Sequence, residues 1–189
     1  MKKLFKYLLV FFALLILTIL FDIHIKGNFY QIDKNVYRSG TLNKFNLEYY
    51  IKKYHIKTIL NLRGKSNEEW YKIESKLIKK YMIKIINYPI SSQSFYDFNQ
   101  TSKIVNLLKK VKKPLLIHCN GGADRTSLVS ALYIFAVKHQ SKEIAKKELS
   151  WFYGHLPGIR KGVENMDKSF ENYVNKFLEV PQDLIPRKP

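Results

Sequence analysis

Cysteine is nearly absent from this chain: Cys119 is the single one in 189 residues. One thiol excludes a disulfide framework and a cysteine-rich zinc site. Histidine is scarce as well, and His24, His55 and His139 have no companions at metal-ligand spacing. Acidic residues are outnumbered, 15 Asp+Glu against 33 Lys+Arg, for a formal net charge of +18. Internal repeats are lacking, and no Gly/Ser or Pro run is long enough to divide the chain. With 46% hydrophobic residues the sequence is not that of a disordered chain. At roughly 100–200 residues per domain, the length accommodates one domain with its own core and a short extra segment.

That segment is N-terminal. Lys2, Lys3 and Lys6 precede an uncharged run from Tyr7 to Phe21 built almost wholly of Leu, Ile, Phe and Val. At about 1.5 Å per residue the run reaches about 22 Å, short of a hydrocarbon core of about 30 Å. Leu4, Phe5, Ile23 and Ile25 extend it, and lysines can snorkel. Phe21-Asp22-Ile23-His24-Ile25-Lys26 offers no small-x-small cleavage site. Residues 1–26 are therefore expected to be a membrane anchor or uncleaved signal. Basic residues ahead of the run orient the remainder outward. The expected location is a bacterial inner membrane with the catalytic domain facing the periplasm or cell exterior, or a secreted protein if the signal is cleaved. Residues 27–180 form the expected catalytic domain; residues 181–189, with three prolines and two basic residues, read as a flexible tail.

Setting aside the four lysines and one aspartate of the first 26 residues leaves a net charge of +15. An anionic partner follows, whether nucleic acid, a lipid headgroup or a phosphorylated substrate. No basic–aromatic recognition motif accompanies the charge, so nucleic acid is not expected.

The rest of the chain alternates. Val36-Tyr37-Arg38-Ser39-Gly40 ends an extended segment, and Asn43 caps a helix running to about Tyr54. An apolar strand follows at Thr58–Leu62. Ser66 to Lys80 has helical periodicity in Trp70, Ile73, Leu77 and Ile78, with Ser66 and Glu69 at capping-box spacing. A strand over 83–88, a polar loop over 91–99, and a helix containing Ile104, Leu107, Leu108 and Val111 come next. Pro114 then opens the strand Leu115-Leu116-Ile117, and helices are expected beyond, including Leu128–His139 and Ser141–Ser150. Strands separated by helices predict an α/β domain: a central, mostly parallel sheet flanked by helices.

The last strand ends in His118-Cys119-Asn120-Gly121-Gly122-Ala123-Asp124-Arg125-Thr126-Ser127. A strand, a tight glycine loop and a helix start aim successive backbone N–H groups inward, and the helix N-terminus adds positive potential. Residues 120–125 are thus a candidate cradle for a tetrahedral oxyanion. In that field a thiol can fall from about 8.5 to about 3.5–7.5, which makes Cys119 a candidate nucleophile. Arg125 can fork onto two phosphate oxygens. The Thr126 hydroxyl can reach the Cys119 sulfur.

Cys119-x5-Arg125-Thr126, preceded by His118, resembles the signature loop of the cysteine-dependent protein tyrosine phosphatases, and is most similar to bacterial dual-specificity members. Val36–Gly40 and Thr58-Ile59-Leu60-Asn61-Leu62-Arg63 are similar to a pattern in exported bacterial phosphatases, so the likeness spans about residues 30–155. The resemblance implies the fold of that superfamily and a metal-free, cofactor-free two-step reaction. Cys119 takes the phosphoryl group, Asn120, Gly121, Gly122, Ala123, Asp124 and Arg125 hold its oxygens, His118 supports the loop, a general acid protonates the leaving oxygen, and water releases phosphate. Arg63 reads as a structural or substrate-side arginine.

The general acid departs from the family pattern, because residues 87–92 hold no carboxylate. Asp97, 22 residues before Cys119, is the preferred candidate, with a helix cap as its other reading. Asp124 is the second candidate; Gly-x-Asp-Arg-Thr also resembles phosphoinositide phosphatases of the myotubularin type. The implied substrate is a phosphorylated protein, carrying phosphotyrosine and also phosphoserine or phosphothreonine. The alternatives are an anionic phospholipid or inositol phosphate, or a catalytically weak phosphate-binding pseudophosphatase. His155 and its aromatic neighbours Trp151, Phe152 and Tyr153 read as core packing.

Overall fold

The computed structural model describes residues 2–179, so the tail expected at 181–189 lies outside the described residues. A five-stranded sheet has the order β1-β2-β5-β3-β4, with β1 (Tyr30–Asp33), β2 (Val36–Ser39), β3 (Thr58–Asn61), β4 (Lys84–Asn87) and β5 (Leu115–His118). Only β1 runs antiparallel, to β2; the other neighbours are parallel, as the alternation of strands and helices predicts. All four parallel strands therefore end on one side, where a ligand site of an α/β sheet belongs.

Side-chain alternation splits the core in two. Val36, Leu60, Leu115 and Ile117 face α4 (Phe98–Lys110), α5 (Asp124–Leu132) and α7 (Glu164–Glu179), meeting Ile104, Leu108, Leu128 and Phe170. Tyr37, Ile59 and Leu116 face α2 (Lys44–Tyr54) and α3 (Glu69–Tyr81), meeting Leu47, Ile51, Leu77 and Ile78. Period two also assigns Arg38 to the α5 side and His118 to the α3 side.

Helix ends follow local chemistry. Asn43 caps α2, its side chain accepting from Asn46 N at 2.9 Å. Ser66 does not open α3: its hydroxyl accepts from Glu68 N at 3.1 Å in a local turn, and the helix begins at Glu69. The helix expected over Leu128–His139 is α5 followed by a π-helical turn, Tyr133–Val137. Ser141–Ser150 yields only α6 (Lys142–Lys146) before the chain turns into a 3₁₀ turn, Trp151–Tyr153, which Gly154 stops at φ 82°.

The N-terminal run is α1 (Lys2–His24). Among the described residues, no helix is long and apolar enough to cross a membrane. This overturns the expected membrane anchor and the placement at an inner membrane. The physical reason is the one visible in its length: 15 uncharged residues bounded by Lys6 and Asp22 fall about 8 Å short of a hydrocarbon core.

Candidate active site

The loop from Cys119 to Ala123 lies at the carboxyl ends of β2, β3 and β5 and runs directly into α5. Its first four carbonyls are fastened from outside. Cys119 O accepts from Thr41 Oγ1 at 3.0 Å and faces His118 Nδ1 at 3.3 Å. Asn120 O accepts from Thr41 N at 2.8 Å. Gly121 O accepts from Asn28 Nδ2 at 2.9 Å, and Gly122 O from Arg38 Nη2 at 2.7 Å. With four successive carbonyls pinned outward, the N–H groups of residues 120–123 are left facing the loop interior, and none of them donates to another backbone group among the described residues. That concavity at a helix N-terminus favours an anion.

Two glycines allow the loop to come this close. A Cβ on Gly122, whose φ is +71°, would stand 2.5 Å from Gly40 N and 2.7 Å from Ser39 C. A Cβ on Gly40 would stand 2.9 Å from Asn120 O. This contact explains the Ser39-Gly40 pair of the upstream motif: the end of β2 is the wall against which the loop is moulded.

Arg38, two residues earlier, is fully buried. Besides Gly122 O, it donates to Ser127 Oγ at 2.7 Å and to Glu148 O at 3.1 Å, pairs with the Glu148 carboxylate, and lies 3.6 Å from the Tyr153 ring centre. Asn28, also fully buried, spans Gly121 O and Tyr153 O. Neither residue is visible as a site residue from sequence, since their partners lie 84 to 125 positions away. The only hint is that Arg38 falls in a short strand between Tyr37 and Ser39.

Cys119 is buried. Arg125 reaches across the site, its Nη1 donating to Leu62 O at 3.2 Å and Ile90 O at 3.3 Å, which anchors the guanidinium between the ends of β3 and β4. Thr126 differs from expectation. Its hydroxyl bonds to Ser39 O at 3.4 Å and not to the Cys119 sulfur, because the close approach of β2 places that carbonyl over the start of α5. Arg63 is half-buried: it stacks on Trp70 at 3.7 Å, donates to Thr41 Oγ1 at 2.9 Å, and lies 3.6 Å from the Glu68 carboxylate. Burial pulls its guanidinium below the ordinary value; Glu68 opposes this, Arg125 adds to it and Cys119 opposes it, so Arg63 shares the field of the loop.

The two carboxylates read as acids are both engaged. Asp97 is the N-cap of α4 in a reciprocal capping box, accepting from Gln100 N at 2.8 Å while Gln100 Oε1 accepts from Asp97 N at 2.9 Å. Asp124 is buried, and its Oδ1 receives both His155 Nδ1 at 2.8 Å and Arg160 Nη2 at 2.7 Å. His155 is held from its other side by Asp167, also at 2.8 Å. Burial works against a charge on His155, but Asp124 and Asp167 outweigh it and raise the imidazole to about 9. His155 is thus core, as expected, whereas Trp151 is 62% exposed and does not pack there. Beside the loop opens a polar cleft lined by Gly27, Gly40, Thr41, Asn43, Asn46, Asn120 and Gly121. No group of His, Cys, Asp and Glu among the described residues is arranged to hold a metal ion.

The model of the tyrosine phosphatase family matches residues 25–135. No curated protein matches the chain. Among solved structures, TpbA of P. aeruginosa is 17% identical over 79% of this chain and 86% of its own, with a TM-score of 0.60. A TpbA variant in complex with pTyr is 17% identical over 77% and 91%, with a TM-score of 0.55. The core catalytic domain of the PP-IP phosphatase SIW14 from S. cerevisiae is 21% identical over 82% and 95%, with a TM-score of 0.63. At these identities the structural likeness concerns the fold.

Proposed function

The chain belongs to the tyrosine phosphatase family, and from that premise we propose that it hydrolyses phosphate monoesters on proteins, phosphotyrosine foremost, through a phosphoryl-cysteine intermediate. The observation that carries this reading is the outward pinning of the Cys119, Asn120, Gly121 and Gly122 carbonyls, which turns the loop N–H groups into a preformed anion cradle.

In the proposed reaction the Cys119 thiolate attacks phosphorus as the P–O bond to the leaving group breaks. The amides of 120–124 hold the equatorial oxygens. Arg125, pinned by one nitrogen to Leu62 O and Ile90 O, turns its remaining N–H groups to the same oxygens. Thr126 is the proposed hydroxyl donor to the departing thiolate, since its 3.4 Å bond to Ser39 O is long enough to exchange for one to sulfur. Asp97 remains the proposed donor of the leaving-group proton. It stands in the loop that starts at Ile90, is exposed, and engages only Oδ1 in its cap. Asp124, bound by a cationic His155 and by Arg160, is better suited to anchoring the loop than to acid catalysis.

A second reading, a phosphorylated polyol such as an inositol phosphate, is favoured by the cleft beside the loop, whose lining of Asn, Thr and Gly carries no aromatic ring and suits hydroxyl groups. One of the structures with this fold, SIW14, is described as a PP-IP phosphatase. The test is turnover of an aryl phosphate by the full chain under reducing conditions with chelator, in wild type, Cys119→Ser, Asp97→Asn and Asp124→Asn, followed by phosphopeptide against inositol phosphate. Activity lost in Cys119→Ser and impaired in Asp97→Asn toward poor leaving groups supports the proposal. Binding of phosphate without turnover would make the site a reader of phosphate, and a strong preference for the polyol would replace the protein substrate.

A further inference from the structure

On the reading of Cys119 as the nucleophile, we propose that Glu74 is a positioning residue of the reaction, acting through His118 on the backbone and the thiolate of Cys119.

Glu74 is out of place as a structural residue. It sits on the inward face of α3 among Ile73, Leu77 and Ile78, and is only 5% exposed. Taking a carboxylate out of water costs several kcal/mol unless a partner compensates. Its partner is His118, 2% exposed, whose Nε2 lies 2.8 Å from Glu74 Oε1 without the alignment of a hydrogen bond. The second oxygen, Oε2, is buried and has no hydrogen-bond partner among the described residues. Apolar residues in place of both partners would continue the core, and replacing a whole buried pair in that way is often neutral or stabilising. Stability therefore does not account for the carboxylate.

Its position relative to the nucleophile does. His118 ends β5 on the α3 side of the sheet, while the next residue, Cys119, turns into the cradle. The other ring nitrogen, Nδ1, faces Cys119 O at 3.3 Å. Thr41 Oγ1 bonds the same oxygen, and Trp70 sets its edge toward the imidazole at 6.5 Å. Both ring nitrogens thus face oxygens, Glu74 Oε1 on one side and Cys119 O on the other. With Glu74 on the far side and Cys119 O on the near side, the ring links the buried carboxylate to the backbone of the nucleophile.

The other charged groups around this point are already committed. Arg63 and Glu68, between β3 and α3, pair with each other, and Arg63 also feels the Glu74 carboxylate. Arg38 on β2 pairs with Glu148. On α5, Arg125 is held by two carbonyls and Asp124 by His155 and Arg160. Glu74 is the carboxylate that touches His118.

The experiment uses the full chain as wild type, Glu74→Gln, Glu74→Met, His118→Asn and the double variant Glu74→Gln/His118→Asn. It reads kcat and KM on an aryl phosphate from pH 5 to 8, the rate of Cys119 alkylation by iodoacetamide over the same range, and Tm. Glu74→Gln should lose about tenfold in kcat at pH 6 with KM held, and the gap should narrow toward pH 8; its alkylation curve should move to higher pH. Tm should fall in Glu74→Met, which strands the buried imidazole without its partner. The double variant should be no worse than His118→Asn alone, because both act through one ring. Wild-type kcat in Glu74→Gln, losses that multiply in the double variant, or a fall in Tm alone would overturn the inference. Should the wild type show no turnover, the phosphatase reading fails instead, and the alkylation curves still decide the role of Glu74.

Discussion

Substituting Gly122 by alanine tests whether the cradle is moulded by the end of β2. The new Cβ would meet backbone on three counts, Gly40 N at 2.5 Å, Ser39 C at 2.7 Å and Ser39 O at 2.9 Å, with no flexible side chain to give way. Overpacking of this kind costs about 1–3 kcal/mol, and holding alanine at φ +71° adds about 1 kcal/mol. A total of about 3 kcal/mol corresponds to a fall in Tm of roughly 6–12 °C for a chain of this length. The larger effect is on catalysis. A displacement of about 1 Å between attacking atom and oxyanion donors is worth about 100-fold, so kcat/KM on an aryl phosphate should fall at least that far, together with affinity for vanadate. Gly121→Ala supplies the contrast in stability, because a Cβ there meets nothing within 4 Å and its Tm should stay within about 1 °C of wild type. Thermal scans and steady-state kinetics on both variants decide the matter. Equal Tm values for the two, or wild-type kcat/KM in Gly122→Ala, would refute the argument from close approach.

Asn28→Ala removes the donor to Gly121 O and Tyr153 O, and should cost about 2 kcal/mol in urea unfolding and weaken phosphate binding. Arg38→Lys keeps the charge but cannot fork to Gly122 O, Ser127 Oγ and Glu148 at once; a loss of about 3 kcal/mol is expected, with kcat/KM falling too. His155 is raised from 6.5 to about 9, so its contribution to stability is fully present below about pH 6.5 and is lost as pH rises through about 9. Stability of the wild type should therefore drop by about 2 kcal/mol between pH 7 and pH 10, and His155→Gln should flatten that slope. Asp97→Ala should lower Tm by a few degrees through loss of its share of the capping box, whereas Asp97→Asn keeps the acceptor and should leave Tm near wild type, so that any loss of activity in it is read separately.

What was legible in the sequence is what depends on neighbours in the chain. The parallel strands could be read because Thr58–Leu62 and Leu115-Leu116-Ile117 are apolar runs bounded by turns, and the anion loop because strand, glycines and helix start are contiguous. Asn43 was readable as a cap for the same reason, and for Asp97 the cap was the second reading beside that of a general acid. The parts that escaped are held by distant partners. Arg38, Asn28, Thr41 and Glu74 secure the loop from other elements, and no local pattern marks an arginine in a strand or a glutamate on an amphipathic helix as facing a site. Ser66 was misread because a serine hydroxyl that accepts from the backbone two residues on looks, in sequence, like one that caps a helix. The apolar N-terminal run was misread as a membrane span because its composition weighed more than its length.

The central claim is that Cys119 carries the phosphoryl group between the two steps. Rapid acid quench of the full chain during turnover of an aryl phosphate, with the Cys119 peptide isolated and weighed, tests it directly. The account predicts one added phosphoryl group on that peptide in the wild type, more of it in Thr126→Ala, where departure of the thiolate is slowed, and none in Cys119→Ser, which should be inactive. Continued turnover by Cys119→Ser, or turnover by the wild type with the phosphoryl group on another residue, would contradict it.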